Sequence, residues 1–316
     1  MFEKTTLDAL PSFLFGHAQN TQGATGVTVV IAPEGATCGV EVRGGGPATR
    51  ETDLLRPENM IEKVHAVVLA GGSAFGFEAS CGVMDELKTR SIGFHLDSIC
   101  VPIVVGACLF DLAVGENCAP DKKMGKEAVH AAFEKASFVE GNVGAGCGAS
   151  VGKLLGQQNA MKSGFGMSVL RRGDLVVATL VAVNALGNVV SPDGKVLAGC
   201  RNEKGELVDG LEALSFAVEQ LSQQTTTNTT LGIVVTNAQL NKAQATKVSS
   251  VVHNAYARTI RPIHTSQDGD SIFTFASGET PSSPDLVAAI ATEAMVEAIY
   301  RAIETAKEAY GLKAKP

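Results

Sequence analysis

Apolar residues fall into two kinds of segment along the chain. Short runs rich in β-branched residues predict strands at residues 26–31, 64–69, 167–170, 175–183, 231–236 and 271–276. Longer segments with apolar residues three and four positions apart predict helices at residues 77–87, 121–135, 211–224, 241–257 and 285–309. Because the strands are almost continuously apolar and are interspersed with helices, the pattern favours an α/β fold in which helices cover the faces of a sheet.

Composition narrows the class of protein further. Hydrophobic residues make up 45% and charged residues 19% of the 316 residues, and no long linker divides them, so we treat residues 1–316 as a single domain. The formal charge is −7 and no basic cluster is present, which argues against a nucleic-acid partner. A soluble globular protein is the class that remains.

Cysteine and histidine patterns argue against a disulfide framework and against a metal site. The seven cysteines form no CxxC pair, and the six histidines form no HExxH motif. The N-terminal segment lacks the features of a signal peptide, and no apolar run is long enough to span a bilayer. We therefore expect a cytoplasmic protein that needs no metal or other cofactor and does not contact a membrane.

Two glycine-rich segments are candidates for ligand binding. The first, AGGSAFG at residues 70–76, lies between a predicted strand and a predicted helix, where backbone N–H groups can face an anion. The second, GAGCGASVGKL at residues 144–154, has Cys147 and Leu154 where a phosphate-binding loop requires Gly and Ser or Thr. A non-catalytic nucleotide-binding α/β protein stays open as an alternative. Lys153 lies among small residues, where burial would lower its pKa, although a solvated lysine is the simpler interpretation.

The segment TTTNTTLGIVVTN, residues 225–237, places threonines directly before a predicted buried strand. A threonine hydroxyl becomes a useful nucleophile when a base takes its proton, and the residue's own α-amine can serve as that base. Thr229 has a free α-amine only if the Asn228–Thr229 bond is cut, which the chain can do through attack of the Thr229 hydroxyl on the preceding carbonyl. The alternative is a Ser/Thr-rich linker before a strand.

Two further elements fit such chemistry. Asp268 and Asp270, in the sequence QDGD before the strand at 271–276, either form an ordinary turn or orient the ammonium and hydroxyl groups of the nucleophile. Asn184 ends a buried apolar strand, where its amide must find hydrogen bonds or can donate to an oxyanion.

Several segments together resemble the L-aminopeptidase/D-esterase family of the DmpA type, which includes β-peptidyl aminopeptidases and an endo-acting nylon-oligomer hydrolase. They occur in family order between residues 26 and 278 and are VHAVVLAGGSAFGFEA, VPIVVGACLFDLAVG, GAGCGASVGK, LVAVNALGNVVSPDGKV, NTTLGIVVTN and QDGDSIFTFA. The resemblance implies a four-layer αββα sandwich of the N-terminal-nucleophile style with the family's own connectivity. It also implies self-cleavage into residues 1–228 and 229–316, which stay together and assemble into a homo-oligomer, often a tetramer.

The resemblance also assigns roles to individual residues. The family's cleavage site falls on Asn228–Thr229, with Thr229 as the new N-terminus and nucleophile. The threonine branch, which contains the nylon-oligomer hydrolase, has a lysine matched by Lys153, an oxyanion asparagine matched by Asn184 and an aspartate pair matched by Asp268 and Asp270.

Departures from the aminopeptidase members place the chain nearer the threonine branch. Those members have a serine nucleophile after glycine, with Ser and Glu at the positions of the two aspartates, and some have a tyrosine where this chain has Phe110. We expect Phe110 and the loop residues Gly71, Gly72 and Ser73 to contact the substrate.

The resulting prediction is a hydrolase of peptide or polyamide-oligomer amide bonds, similar to 6-aminohexanoate-oligomer hydrolases. The alternative within hydrolases is an aminopeptidase or β-aminopeptidase that releases N-terminal residues.

Overall fold

The computed structural model describes residues 2–219 and 228–315. Within these ranges the α-helices are α1 (Phe77–Thr89), α2 (Lys122–Phe133), α3 (Gly210–Glu219), α4 (Lys242–Thr259) and α5 (Pro284–Glu304). The strands, in chain order, are β1 (Glu3–Lys4), β2 (Leu14–Asn20), β3 (Thr25–Val42), β4 (Thr49–Arg50), β5 (Val64–Ala70), β6 (Phe94–Leu96), β7 (Ile99–Val101), β8 (Val104–Cys108), β9 (Ser150–Val151), β10 (Met161–Lys162), β11 (Phe165–Arg172), β12 (Leu175–Ala182), β13 (Asn188–Val190), β14 (Val196–Ala198), β15 (Leu231–Gln239), β16 (Ile260–Arg261) and β17 (Ser271–Pro281).

Strand β3 belongs to two sheets. Its first part pairs with β2 and β5, and its last part, residues 37–42, pairs with β17. The ladder with β5 shifts register between Ile31 and Ala36. Such bulges bend a strand, and this one marks the passage from the sheet β2-β3-β5-β8-β4 to the sheet β3-β17-β15-β12-β11-β1.

Alternation of side chains along the strands produces the layers. In β12, Leu180 lies in the same apolar core as Leu69 of β5, so this core fills the space between the two sheets. The next residue, Val181, faces the opposite way and packs with residues of α4 and α5. Val68 of β5 in turn packs with residues of α1 and α2. The order of layers is therefore helices, sheet, sheet, helices, which confirms the predicted αββα sandwich.

The predicted helices and strands are present, and several of their ends differ from the prediction. The strand predicted at 26–31 continues to Val42, because Pro33 lies within the register shift, where the ladder needs no N–H donor. The helix predicted at 285–309 ends at Glu304, and the Asn142 side chain hydrogen-bonds both backbone groups of Lys307 beyond it. The helix predicted at 211–224 is observed as α3, while its last part and Thr225–Thr227 lie outside the described residues.

Strand order brings the candidate site residues to one edge of the second sheet. Strands β15 and β17 are parallel and begin side by side, with Leu231 opposite Ser271. The antiparallel strand β12 ends at this edge, with Ala182 opposite Leu231. Residues that directly precede β15 and β17, and those that directly follow β12, therefore meet. No helix in the described part of the chain is both long and apolar enough to cross a membrane.

The core between the two sheets is expected to contribute strongly to stability. Leu180→Ala removes a fully buried side chain and is expected to lower the free energy of unfolding by about 2–5 kcal/mol. Leu211→Ala is the matched control, because Leu211 in α3 is 66% exposed. Urea unfolding measures the difference, with Thr229→Ala in both proteins to prevent the predicted self-cleavage. Equal losses for the two variants would contradict the assigned core.

Candidate active site

Thr229 lies at the start of β15 with its backbone held on both sides. Its N–H donates to the carbonyl oxygen of Asn184 at 3.1 Å, and its hydroxyl donates to the carbonyl oxygen of Asn228 at 2.5 Å. The Thr229 side chain is almost fully buried, with 4% of the residue exposed. The hydroxyl therefore lies next to the carbonyl group of the Asn228–Thr229 peptide bond.

Asn228 is paired with the turn that contains the two aspartates. Its N–H donates to the Gln267 carbonyl oxygen at 3.1 Å, and its own carbonyl oxygen accepts from the Gly269 N–H at 2.8 Å. These two bonds form a parallel bridge that continues the β15–β17 ladder toward the N-terminal side. The Asn228 carbonyl is thus polarised by a backbone donor, a contact that can stabilise negative charge on its oxygen.

Both aspartates are fully buried but make different contacts. Asp270 Oδ1 accepts from the Thr230 N–H at 2.7 Å, while its Oδ2 lies 2.8 Å from His264 Nδ1. Asp268 Oδ2 accepts from the N–H and the hydroxyl of Thr265, at 2.8 and 2.7 Å. Asp268 Oδ1 is buried and has no hydrogen-bond partner among the described residues. Asp270 therefore holds the residue after Thr229, and Asp268 has one carboxylate oxygen left to accept a proton donor.

Lys153 and Asn184 form the opposite side of the site. The Lys153 amine donates to the carbonyl oxygen of Asn184 at 2.9 Å and to its Oδ1 at 2.7 Å. Asn184 Nδ2 donates to the Phe110 carbonyl oxygen at 2.9 Å, which uses one of its two hydrogens. The structure thus brings Lys153, Asn184, Thr229 and the aspartate turn together.

Burial changes the acid–base properties of this group. It lowers the pKa of Lys153 to about 7, although Asp268, Asp111 and Asp270, in that order, oppose the shift. It raises the pKa of Asp270 to about 6, against the hydrogen bond from His264. Perturbed pKa values of this kind are frequent in active sites, where groups must exchange protons near neutral pH.

The first glycine loop is joined to the site through Phe110 and Asp111. The Gly72 N–H donates to Asp111 Oδ1 at 2.7 Å, and the Ser73 N–H donates to the Leu109 carbonyl oxygen at 2.8 Å. An added Cβ at Gly71 would lie 2.0 Å from Asp111 Oδ2, so only glycine fits against this carboxyl group. Burial raises the pKa of Asp111 to about 6. No described contact joins Gly71, Gly72 or Ser73 directly to Thr229, and their contact with substrate stays a prediction.

The second glycine loop does not have the polarity of a phosphate cradle. The buried amine of Lys162 donates to the carbonyl oxygens of Gly146, Ala149 and Ser163. The loop therefore directs backbone carbonyls at a lysine, whereas a phosphate loop directs N–H groups at an anion. Lys162 thus supports the segment that carries Lys153.

Sequence reasoning missed several residues of the site. Asp111, His264 and Thr265 each contact a predicted site residue, and Gly269 packs so closely that an added Cβ would lie 2.7 Å from the Thr229 hydroxyl. Only the His264 backbone, with φ of +58°, is unusual, and nothing in the amino-acid pattern indicates it. Among the described residues, no group of three or more His, Cys, Asp or Glu side chains could hold a metal ion.

Known proteins similar to this chain place it in one family. Residues 10–315 match the model of peptidase family S58. An uncharacterized aminopeptidase of Mycobacterium tuberculosis (strain ATCC 25618 / H37Rv) is 40% identical over 272 residues, which cover 83% of this chain and 76% of the relative. The 6-aminohexanoate-oligomer endohydrolase of Paenarthrobacter ureafaciens is 29% identical over 311 residues, which cover 92% and 84%.

A solved structure agrees with the fold. The L-aminopeptidase D-Ala-esterase/amidase from Ochrobactrum anthropi, a variant of the Ntn hydrolase fold, superposes with a TM-score of 0.65 at 17% identity, covering 93% of this chain and 84% of that protein. With the family match spanning nearly the whole chain, the chain belongs to peptidase family S58 and is a hydrolase of amide bonds.

Proposed function

We propose that the chain cuts itself between Asn228 and Thr229 and that Thr229 is the N-terminal nucleophile of the mature hydrolase. The observation that carries the proposal is the contact set of the Asn228 carbonyl, which lies between the Thr229 hydroxyl and the Gly269 N–H. Attacking group and oxyanion donor are therefore both adjacent to the bond to be cut.

Self-cleavage follows from this arrangement as an acyl shift. The Thr229 oxygen adds to the Asn228 carbonyl carbon, and the Gly269 N–H stabilises the negative charge on the carbonyl oxygen. The carbon–nitrogen bond then breaks, and the hydroxyl proton passes to the Thr229 nitrogen, which leaves an ester. Water hydrolyses the ester to a carboxylate at Asn228 and restores the Thr229 hydroxyl beside a free α-amine.

The new amine then serves as the base for substrate hydrolysis. Its ordinary pKa of ~7.7–8.0 leaves part of it neutral near neutral pH. The Thr229 oxygen attacks the substrate carbonyl while the amine takes the hydroxyl proton and passes it to the leaving amine. The second Asn184 Nδ2 hydrogen is the donor we assign to the substrate oxyanion. Water completes turnover by hydrolysing the acyl-enzyme.

The surrounding charges support this role for the α-amine. The Thr229 nitrogen already donates to the Asn184 carbonyl oxygen, and the buried Asp268 Oδ1 is available to accept a second hydrogen. We assign Asp268 and Asp270 to the orientation of the ammonium and of the strand start. Lys153, whose pKa burial lowers to about 7, moderates the charge of the site.

The two pieces are expected to stay together after the cut. Strand β15 lies between β12, from residues 1–228, and β17, from residues 229–316, and it keeps its ladder with both. We propose a single domain, 1–316, that assembles into a homo-oligomer such as a tetramer in the cytoplasm.

The substrate class we propose is peptides or polyamide oligomers, because the chain shares Asn-Thr-Thr and Asp-Gly-Asp with the threonine branch of the family and is 29% identical to an oligomer endohydrolase. The second candidate is release of N-terminal residues, which the aminopeptidase name of relatives that are 40% identical favours.

Thr229→Ala should stay in one piece and lose amide hydrolysis, whereas Thr229→Ser should still be cut because it keeps the hydroxyl. Intact-mass measurement of the unaltered protein should give fragments of residues 1–228 and 229–316. A working enzyme with an unbroken chain, or one cut at another bond, would refute the mechanism.

Gly269→Ala is expected to slow self-cleavage roughly 10²-fold, since a shift of about 1 Å in a reacting group can have such an effect. The added Cβ would lie 2.7 Å from Thr229 Oγ1 and 2.8 Å from the Gly46 carbonyl oxygen. Gly46→Ala is the matched control in the facing loop, because its nearest described neighbour would be 3.9 Å away. Electrophoresis of timed samples measures the rate; indistinguishable rates for the two variants would exclude the assigned contact.

Free and N-acetylated forms of the same aminoacyl anilide should be hydrolysed at rates within about tenfold of each other if the enzyme acts on internal amide bonds. Such an enzyme has no buried charged group that pairs with the free amine of a substrate, so acetylation of that amine removes no contact. A 6-aminohexanoate oligomer serves as the polyamide probe. Hydrolysis that strictly requires the free amine would instead establish the aminopeptidase.

A further inference from the structure

His264 contacts Asp270 twice. Its Nδ1 lies 2.8 Å from Asp270 Oδ2, and its backbone N–H donates to the same oxygen at 3.3 Å. The other carboxylate oxygen of Asp270 accepts the Thr230 N–H at 2.7 Å. Asp270 therefore connects His264 to the residue that follows the proposed nucleophile.

The surroundings of the imidazole determine which nitrogen carries the proton. His264 Nε2 is buried and has no hydrogen-bond partner within residues 2–219 and 228–315. The ring lies against His253 and Tyr256 of α4, with ring centroids 4.9 and 6.2 Å apart. A proton on Nε2 would be buried without an acceptor, which is unfavourable. The hydrogen-bond network therefore assigns the proton to Nδ1, which donates to Asp270.

We propose that His264 is a positioning residue of the Thr229 site. By donating to Asp270 Oδ2, it fixes the carboxylate whose Oδ1 holds the Thr230 N–H, and it thereby sets the Thr229 hydroxyl for self-cleavage and for hydrolysis. The inference rests on the proposed function of Thr229. It adds His264 to the threonine, lysine, asparagine and two aspartates already assigned to the site.

The same contact favours the ionised form of Asp270. An ionised carboxylate accepts from both partners, whereas a protonated one would direct an O–H at one of these donors. Burial raises the pKa of Asp270 to about 6. The hydrogen bond from His264 opposes that rise, so loss of the donor would raise the pKa further. The other titratable and charged groups around the pair are Asp268 and Lys153 across the site, Tyr256 and His253 on α4, and Arg43 near His253.

Backbone conformation dictates the choice of variants. With φ of +58°, position 264 is in the left-handed region, which Gly adopts without strain and Asn tolerates better than most residues. His264→Gly removes the donor, while His264→Asn retains an N–H donor on a short side chain. His253→Gln is the matched control, since it alters the neighbouring buried histidine, whose Nε2 lies 3.1 Å from the Glu41 carbonyl oxygen, and keeps a donor there.

The measurements are the rate of self-cleavage, kcat and KM of the cut enzyme on an anilide substrate across pH, and the melting temperature. His264→Gly is expected to lose roughly 10- to 100-fold in self-cleavage and in kcat, the range for a hydrogen bond to a charged group, with KM within about threefold. The acid limb of its self-cleavage rate should move to higher pH, because the uncut chain has no free α-amine at Thr229 to mask the titration of Asp270. His264→Asn should recover most of the loss, and His253→Gln should resemble the unaltered enzyme in rate and acid limb.

Three results would overturn the inference. The first is a self-cleavage rate and kcat in His264→Gly equal to those of the unaltered protein. The second is an equal loss of rate in His264→Asn and His264→Gly. The third is a loss of rate that follows the fall in melting temperature in all three variants. If His264→Gly does not fold, the test rests on His264→Asn. A loss of self-cleavage rate of more than about 30-fold in a folded His264→Asn variant would contradict the inference, because the Asn side chain retains a donor. Failure of the proposed function is separate, because it would appear as cutting and activity in Thr229→Ala whatever residue 264 is.

Discussion

The parallel pairing of β15 with β17 is the constraint on which the site depends. Because Leu231 lies opposite Ser271, the ladder continues past both strand starts and holds Asn228 between the Gln267 carbonyl and the Gly269 N–H. A strand slipped by one residue turns every side chain to the other face, so the buried faces of both strands enforce this register. The position of Thr229 is thus set by a backbone ladder.

Burial of several charges in one place is the second constraint. Lys153, Asp111, Asp268 and Asp270 are all nearly or fully buried, and an unpaired charge in such a position is strongly unfavourable. Lys153 donates hydrogen bonds to Asn184, while the three carboxylates accept hydrogen bonds from Gly72, Thr265 and His264. The group has three carboxylates and one amine, so the α-ammonium created by the proposed cut would reduce its negative charge.

Local patterns were enough for the elements and for the residues next to strand ends. The apolar runs at 175–183 and 231–236 identify β12 and β15, and Asn184 and Thr229 stand directly beside them. Asp111 and His264 were missed for a different reason. Asp111 accepts a hydrogen bond from Gly72, which is 39 positions away, and the local pattern does not show such long-range packing. His264 contacts Asp270 from a left-handed backbone conformation, which the local pattern does not show either.

The sequence by itself determined the α/β class, most element positions and the family to which the segments point, because side-chain periodicity and motif spacing are local properties. Only the tertiary structure decided that residues 184, 228–230 and 267–270 share one sheet edge, and that Phe110 and Asp111 connect this edge to the glycine loop at 71–73. These relations depend on strand order and direction, which arise when distant segments bury their apolar faces together.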